Sequence, residues 1–176
     1  MPDAVRIRPL VAQDWESFST LRLQALQECP GVYGSSYEAE VQHTPDEWRD
    51  WLSGQGKCVF GLYAGDDLIG ITGVFTSRHD PSGCTGVMAA SYIKPACRGR
   101  GLSAMLYKAR IDWAIGHAPW KKLCVAHREG NEASRRANQK WGFVYTETDM
   151  EMIWPDGAKV ARLDYELDLE KLRRKQ

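Results

Sequence analysis

Residues 92–106 read YIKPACRGRGLSAML, and the fold that we expect is built around them. Strand-like residues precede the proline of this segment and apolar residues at helical spacing follow its glycines, so it predicts a strand, a tight turn and a helix. Gly99 and Gly101 allow backbone N–H groups of the turn to converge. Arg98 and Arg100 add positive charge at a helix start, where unpaired N–H groups already favour anions. The segment therefore predicts a site for phosphate or pyrophosphate.

The composition is that of one globular domain of 176 residues, with 43% hydrophobic and 26% charged residues. We predict that this domain spans residues 1–170 and that residues 171–176, KLRRKQ, form a charged and solvated tail. The 23 basic and 23 acidic residues cancel, which argues against a nucleic acid or an anionic membrane as partner.

Targeting and redox signals point to a cytoplasmic protein. No apolar run approaches the roughly 18 residues of a membrane helix, and the start, MPDAVRIRPL, lacks the apolar core of a signal peptide. Five cysteines without a CxxC pair predict reduced thiols. Four histidines, none of them paired at helical metal spacing, predict that no metal is bound.

The hydrophobic pattern predicts elements in the order β, α, α, β, β, β, α, β, α, β, β. Strands are expected at residues 5–8, 58–64, 68–76, 87–93, 123–126, 143–154 and 160–169. Helices are expected after an Asp14 cap, after a capping box from Thr44 to Glu47, over residues 102–117 and over 131–140. Antiparallel meanders flank one strand–helix–strand unit. The predicted fold class is therefore α/β of the α+β type, with a mixed, mostly antiparallel sheet of six or seven strands and about four helices.

Three kinds of protein place a glycine turn between a strand and a helix. A Walker A loop needs GxxxxGK[ST], which the chain lacks. Residues 99–104, GRGLSA, fit the dinucleotide pattern GxGxxA. A dinucleotide-binding domain, however, would begin with this turn and continue through a mostly parallel sheet. A dinucleotide-binding enzyme therefore stays an alternative of lower weight.

The third kind accounts for more of the chain. Residues 98–103, RGRGLS, resemble the R-x-x-G-x-[GA] signature of the GNAT superfamily of N-acetyltransferases, with Ser103 where glycine or alanine is usual. Residues 93–95, IKP, resemble that family's strand-ending V-x-P, and residues 131–143, NEASRRANQKWGF, resemble its second signature. Residues 21–36, LRLQALQECPGVYGSS, are similar to the first-helix segment of many bacterial members. The resemblance runs in the right order through nearly the full length.

This resemblance implies the acyl-CoA N-acyltransferase (GNAT) fold, with central strands that splay to admit acetyl-CoA as acetyl donor. It implies that backbone groups of Ser91, Tyr92 and Ile93 lie along the pantetheine arm, and that an N–H near Tyr92 stabilises the developing oxyanion. The implied pyrophosphate ligands are Arg98, Gly99, Arg100, Gly101, Leu102 and Ser103. Asn131 and Asn138 line the implied cofactor path.

The catalytic acid and base depart from the family pattern. The residue seven after the helix-opening Asn131 is often a tyrosine that acts as acid, and here it is Asn138, whose amide can only donate a hydrogen bond. Water or Tyr145 protonates the leaving thiolate, or Asn138 orients the thioester, or catalysis is weak and the protein is a non-catalytic acyl-CoA-binding relative. His127 is the candidate base because free imidazole titrates near neutral pH, unless it is an exposed residue at a loop edge. Glu129, Glu38, Glu40 and a water chain are the other candidates for the base.

The acceptor is a primary amine by the same resemblance, either a small molecule or a protein N-terminus. The loop between the first two helices covers the acceptor in the family, so Tyr33, Tyr37 and Glu38 are the candidate substrate contacts. A homodimer is possible on the same grounds. The sequence thus predicts an N-acetyltransferase that works by direct attack of the amine on acetyl-CoA in a ternary complex.

Overall fold

The fold is a single mixed sheet with helices on both faces, and the computed structural model describes residues 4–176 of it. The seven strands within these residues are β1 Val5–Pro9, β2 Lys57–Ala64, β3 Asp67–Thr76, β4 Thr85–Ile93, β5 Lys122–Arg128, β6 Val144–Asp149 and β7 Arg162–Asp168. The six α-helices are α1 Trp15–Glu28, α2 Tyr37–Glu40, α3 Pro45–Trp51, α4 Ser103–Gly116, α5 Glu132–Lys140 and α6 Leu169–Arg173. Residues 1–3 of the predicted domain lie outside the described residues.

The strand order in the sheet is β1-β2-β3-β4-β5-β7-β6. Every neighbouring pair is antiparallel except β4 and β5, which are parallel and are connected through α4. The predicted mixed, mostly antiparallel sheet is therefore confirmed. A dinucleotide-binding domain would need a mostly parallel sheet, so the GxGxxA match does not mark one here.

Apolar clusters cover both faces of the sheet. α1 and α3 pack on one face through Phe18 and Trp48, against β2 and β3 and the ring of Tyr92. α4 packs on the other face through Ile111, in a cluster with Trp120 and with residues of β5 and β7. Burying both faces is what makes this mixed sheet stable, since each helix contributes one apolar stripe.

The cap predicted for α3 is observed, whereas the cap predicted for α1 is not. Thr44 and Glu47 form the predicted capping box at the start of α3. Asp14 does precede α1, but its carboxylate makes no cap hydrogen bond with that helix. It accepts instead from Arg8, at 2.8 and 2.9 Å, and from the N–H of Val11. A bidentate arginine is the stronger partner for a carboxylate, which explains the difference.

The C-terminal segment corrects the expectation of a solvated tail. α6 continues from β7 to Arg173, and Asp168 accepts from the N–H of Lys171 at its start. The guanidinium of Arg173 donates to four carbonyls at the end of α4 and beyond it, those of Ala114, Ile115, His117 and Trp120. The carbonyls of Ala114 and His117 also accept from the N–H groups of His117 and Trp120, so Arg173 adds hydrogen bonds at a helix end where the regular ladder stops. A short polar helix of this kind leaves little hydrophobic pattern in the sequence.

Candidate active site

A wedge opens between β4 and β5 in the middle of the sheet. These strands pair only over Thr85–Val87 and Lys122–Cys124, and no further register partners join them. From Met88 onwards, the edge of β4 that faces β5 has no strand partner within the described sheet. The gap therefore leaves backbone N–H and C=O groups of β4 without a partner in the sheet. Because such groups are nearly always hydrogen-bonded in folded proteins, they are available to water or to a ligand.

A β-bulge lies beside this gap. The register between β3 and β4 shifts so that Thr72 stands opposite both Ala90 and Ser91. Ala90 has a φ of 60°, in the left-handed region that residues with a Cβ rarely adopt. A bulge turns backbone groups out of the ladder and is frequent beside active sites.

The predicted glycine turn lies between the end of β4 and the first turn of α4. Gly99 and Gly101 have φ values of 74° and 71°, and a Cβ at either position would meet no atom within 4 Å. The turn is therefore an open cradle at a helix N-terminus. Arg98 donates through Nε to the carbonyl of Ile93 at 2.8 Å, so its side chain bends back toward β4. Arg100 is exposed and forms no side-chain hydrogen bond or ion pair within residues 4–176, which leaves its charge available to a ligand.

The two asparagines of α5 have different surroundings. Asn131 caps the helix, since its Oδ1 accepts from the N–H of Ser134 at 3.2 Å. Asn138 is fully buried, and its Oδ1 accepts from the Tyr107 hydroxyl at 2.6 Å. The Nδ2 of Asn138 has no hydrogen-bond partner in the described part of the chain. An unsatisfied buried group of this kind costs about 1–3 kcal/mol, so it calls for an explanation.

His127 lies in β5 with 5% of its surface exposed, which contradicts its interpretation as an exposed histidine at a loop edge. Its Nδ1 lies 2.8 Å from the carbonyl of Arg128 and its Nε2 lies 3.0 Å from the Tyr165 hydroxyl. A carbonyl can only accept, so Nδ1 carries a hydrogen, and in the neutral ring Nε2 accepts from Tyr165. Both ring nitrogens are therefore engaged within the protein.

Of the three predicted acceptor contacts, Tyr33 is tied to the wedge. Its hydroxyl donates to the carbonyl of Ser91, in the bulge, at 2.9 Å. Burial raises the pKa of Tyr33, so this hydroxyl stays protonated. Tyr37 is half-buried and Glu38 is exposed at the start of α2, and neither is hydrogen-bonded to β4 or β5 through its side chain within residues 4–176.

A buried ion pair supports this region, and nothing in the sequence pattern indicates it. Arg22 of α1 donates from Nε and Nη2 to the carboxylate of Glu40 at 2.8 and 2.7 Å, and both side chains are 4% exposed. The guanidinium also lies over the ring of Tyr33, with 4.9 Å between its central carbon and the ring centroid. Glu40 is thus committed to Arg22, which removes it from the candidate bases.

A second long-range contact joins the end of β5 to two loops. Arg128, at the end of β5, donates through Nη1 to the carbonyl of Gly31 at 3.0 Å and to Asp156 at 2.7 Å. The hydrogen bond from Arg128 is the main reason why the pKa of Asp156 is lowered below its ordinary value of 3.8. These partners are far apart in the chain, so no local motif indicates them.

The sequence also gives no indication of the hydrogen bond between Tyr107 and Asn138. Tyr107 lies in α4, where the hydrophobic pattern predicts only that its side chain packs in the core.

Comparison with known proteins agrees with this geometry. Residues 4–144 match the family model described as an acetyltransferase (GNAT) domain. The chain belongs to this family. The GNAT family comprises acetyl-CoA-dependent acyltransferases, and the present chain is one of these enzymes.

Individual relatives are distant in sequence and close in fold. A phosphinothricin N-acetyltransferase of Streptomyces coelicolor is 27% identical over 154 residues, which cover 84% of this chain and 86% of the relative. A GNAT-family acetyltransferase structure from Streptococcus pneumoniae has a TM-score of 0.82 at 15% identity, covering 94% of this chain and 99% of the other. The structure of yncA, a putative acetyltransferase from Salmonella typhimurium with its cofactor acetyl-CoA, has a TM-score of 0.80 at 18% identity and 94% coverage of both chains.

The residues at the wedge of this GNAT enzyme fit acetyl-CoA. The open cradle of Gly99 and Gly101 leaves room for a phosphate beside the helix N-terminus. The edge of β4 beyond Val87 offers backbone groups without a strand partner to an extended arm. No helix in the described part of the chain is both long and apolar enough to cross a bilayer.

Proposed function

We propose that this enzyme transfers the acetyl group of acetyl-CoA to a primary amine, by direct attack of the amine in a ternary complex. The observation that carries the proposal is the wedge between β4 and β5, at whose mouth the cationic glycine turn begins α4. A pyrophosphate on the turn and an extended arm along β4 would deliver a thioester to the bulge.

The donor would be held mainly by backbone groups. We propose that the N–H groups of the turn, from Gly99 to Ser103, hold the pyrophosphate together with the charge of Arg100. The carbonyls of Ser91 and Ile93 accept from Tyr33 and Arg98, and each keeps a second lone pair for the pantetheine amides. Asn131 stays at the start of α5, where it caps the helix beside the same path.

The bulge would stabilise the transition state. Attack on the thioester carbonyl places negative charge on its oxygen, and a fixed N–H aimed at that oxygen lowers the barrier by about 3 kcal/mol. The displaced backbone of Ala90 and Ser91, next to Tyr92, is the part of β4 best suited to this, because the bulge turns it out of the ladder.

The amine must lose a proton during the reaction. His127 is the candidate base from the sequence, but its Nε2 accepts from Tyr165, so it could take a proton only after that bond is given up. Glu40 is held by Arg22. We therefore propose that water in the open wedge takes the proton and passes it on to His127, Glu129 or Glu38.

The acceptor would be a small-molecule amine or a protein N-terminus that enters beside Tyr33 and Tyr37. The name of the Streptomyces coelicolor relative favours a small molecule. The exposed carboxylate of Glu38 would attract a protonated amine. We further propose a cytoplasmic location, and a homodimer formed through the edge strand β6, where Val144 and Tyr145 are exposed.

Asn138 favours one second candidate function. An amide cannot transfer a proton in the useful range, so the chain could bind acyl-CoA without efficient turnover. This candidate predicts the same cofactor site as the first.

The test is calorimetric binding of acetyl-CoA to the native protein and to Gly101→Glu. A carboxylate in the cradle repels the pyrophosphate, and we expect binding to weaken at least a hundredfold, about 2.7 kcal/mol. Gly83→Glu is the matched control, because Gly83 also has a positive φ, 69°, and open space around it, but lies before β4. Native-like affinity in Gly101→Glu, or equal losses in both variants, would refute the proposed site.

An amine screen then separates the two candidates. Free CoA thiol released with at least one amine, and lost in Gly101→Glu, would support acetyl transfer. Tight acetyl-CoA binding without thiol release from any amine would favour the non-catalytic relative.

A further inference from the structure

A pair of hydroxyl groups joins the bulge of β4 to β3. Oγ1 of Thr72 lies 2.6 Å from Oγ of Ser91, and within residues 4–176 neither oxygen has another hydrogen-bond partner. Thr72 is 0% exposed, whereas Ser91 is an exposed residue. Thr72 stands opposite Ala90 and Ser91, where the register between the two strands shifts. The pair therefore ties the displaced part of β4 to a fully buried residue of the neighbouring strand.

The burial of Thr72 decides which of the two hydroxyl groups donates. A hydroxyl has one hydrogen to donate, and a buried hydrogen without an acceptor destabilises the folded protein. Oγ of Ser91 is the acceptor that the described residues offer to Thr72, so the hydrogen of Thr72 points to Ser91. The hydrogen of Ser91 then points away from Thr72. Because Ser91 is exposed, this hydrogen is a donor that a ligand can use.

Ser91 presents its hydroxyl on the face of the sheet that carries the glycine turn. Side chains alternate between the two faces along a strand, so those of Ser91 and Ile93 lie on the same face. Ile93 packs with Leu102 and Leu106, at the start of α4. Ser91 also belongs to the part of β4 beyond Val87 that has no strand partner on the β5 side. An arm that extends along β4 from the turn would therefore pass this hydroxyl.

We infer that the Ser91 hydroxyl donates a hydrogen bond to the carbonyl oxygen of the acetyl thioester and that Thr72 is the positioning residue that aims this hydroxyl. The inference rests on the proposed function and adds a side-chain donor to the backbone N–H proposed at the bulge. The hydroxyl of a serine lies close to its own backbone nitrogen, so the two groups can reach one oxygen. Ser91 contacts the reacting group, and Thr72 acts through Ser91.

The role of Ser91 is electrostatic and involves no proton transfer. The amine nitrogen bonds to the carbonyl carbon, the carbon–sulfur bond breaks with its electron pair going to sulfur, and the amine's proton passes to water. Ser91 and Thr72 keep their hydrogens throughout. A hydrogen bond to a charged acceptor is roughly twice as strong as one to a neutral acceptor. Ser91 therefore stabilises the developing oxyanion more than the bound thioester, which lowers the barrier.

The hydrogen bond from Thr72 has two effects on this donor. It fixes the rotation of the Ser91 side chain, so that the hydroxyl hydrogen is not free to turn toward solvent. It also strengthens the donation by Ser91, because hydrogen bonds in a chain polarise one another.

The experiment measures the NMR resonance of the thioester carbonyl carbon in isotope-labelled acetyl-CoA, free and bound, without any amine. A hydrogen bond to a carbonyl oxygen draws electrons from its carbon and moves the resonance downfield. We expect the resonance to lie downfield of the free value in the native complex. Ser91→Ala should move it part of the way back, since the backbone N–H remains. Thr72→Val should move it by a smaller amount, because the hydroxyl of Ser91 remains but is no longer aimed.

Two further variants serve as controls. Thr72→Ser keeps the hydroxyl and should restore the native resonance, which a purely structural role of the threonine would not predict. Thr85→Val makes the same substitution as Thr72→Val at another buried threonine, which donates to Asp80 at 2.6 Å at the opposite end of β4. It should also give the native resonance. Calorimetric affinity for acetyl-CoA reports whether each variant keeps the cofactor site, so a folding defect is not mistaken for a lost hydrogen bond.

Turnover with an amine from the screen gives a second measurement. We expect kcat for thiol release to fall about a hundredfold in Ser91→Ala, the lower end of the effect of removing one donor to an oxyanion. Thr72→Val should lower kcat by a smaller factor. The KM for the amine and the affinity for acetyl-CoA should stay native in both variants, since the hydrogen bond gains its strength in the transition state.

The results separate this inference from the proposed function. If the native protein binds acetyl-CoA and every variant gives the native resonance, Ser91 does not contact the thioester oxygen, and the inference is wrong while the proposed function stands. The inference is equally wrong if Ser91→Ala weakens the binding of CoA and acetyl-CoA alike without moving the resonance, because the hydroxyl then contacts the pantetheine arm. If Thr72→Val gives the native resonance and Ser91→Ala does not, the positioning role of Thr72 is wrong. If the native protein does not bind acetyl-CoA, the proposed function fails and the inference fails with it.

Discussion

The side of the wedge that we assign to the acetyl donor and the side that we assign to the acceptor are built in different ways. On the donor side, the groups that we assign to the pyrophosphate come from one continuous segment, residues 98–103, and most of them are backbone N–H groups. On the side that we assign to the acceptor, side chains make contacts between distant parts of the chain: Arg22 pairs with Glu40, and Arg128 binds the carbonyl of Gly31 and the carboxylate of Asp156.

This difference has a physical cause. Every acetyl-CoA presents the same pyrophosphate, so a local turn with a fixed shape is enough to hold it. The shape of an acceptor pocket depends on how its loops are positioned relative to one another. Long-range pairs such as Arg22 with Glu40 fix those positions. Changes on the acceptor side should therefore alter amine binding and stability while sparing the donor, and the following variants test this.

The largest effect is expected from Glu40→Ala. It leaves the charge of Arg22 buried without a partner, which typically costs about 3–5 kcal/mol. Urea unfolding measures the loss. Asp46→Ala is the control, because Asp46 pairs with Arg49 in an exposed ion pair that contributes about 0.3–0.5 kcal/mol. Equal losses in the two variants would show that the buried pair does not support α1 and α2.

A medium effect is expected from Gly31→Ala. Gly31 has a φ of 75°, and a Cβ there would overlap the side chains of Arg128 and Asp156. The left-handed conformation alone costs about 1–2 kcal/mol for a residue with a Cβ. We expect the KM for the amine to rise about tenfold, which corresponds to about 1.4 kcal/mol, while the affinity for acetyl-CoA stays native.

Gly34→Ala in the same loop is the control for that variant, since Gly34 has no positive φ and a Cβ at this position would meet no atom within 4 Å. It should behave like the native protein. A loss of acetyl-CoA affinity in Gly31→Ala, with the amine KM unchanged, would reverse the assignment of the two sides.

The smallest effect is expected from Tyr33→Phe. It removes the hydrogen bond to the carbonyl of Ser91, and one such bond contributes about 0.5–1.5 kcal/mol. We expect kcat/KM for the amine to fall by a few-fold, and the free energy of unfolding to fall by no more than about 1.5 kcal/mol. An unchanged kcat/KM would mean that the tie between this loop and the bulge does not matter for catalysis.

The sequence predicts most of the fold because its signals are local. Alternation marks the strands, a capping box marks α3, and glycines with arginines mark the turn before α4. The two wrong predictions concern a helix cap and the C-terminal segment. The pattern predicts that Asp14 caps α1, but Arg8 competes for its carboxylate, and the final helix is too short and too polar to show a period.

The sequence by itself determined the glycine turn before α4, the order of the strands and longer helices, and the family, because each depends on neighbouring residues. Only the tertiary structure decided the depth of the wedge, the burial of His127 and the pairing of Tyr107 with Asn138. These depend on which side chains meet when the sheet closes between its two helical layers. A residue's own sequence position carries no record of a partner that lies 31 residues away, as Asn138 lies from Tyr107.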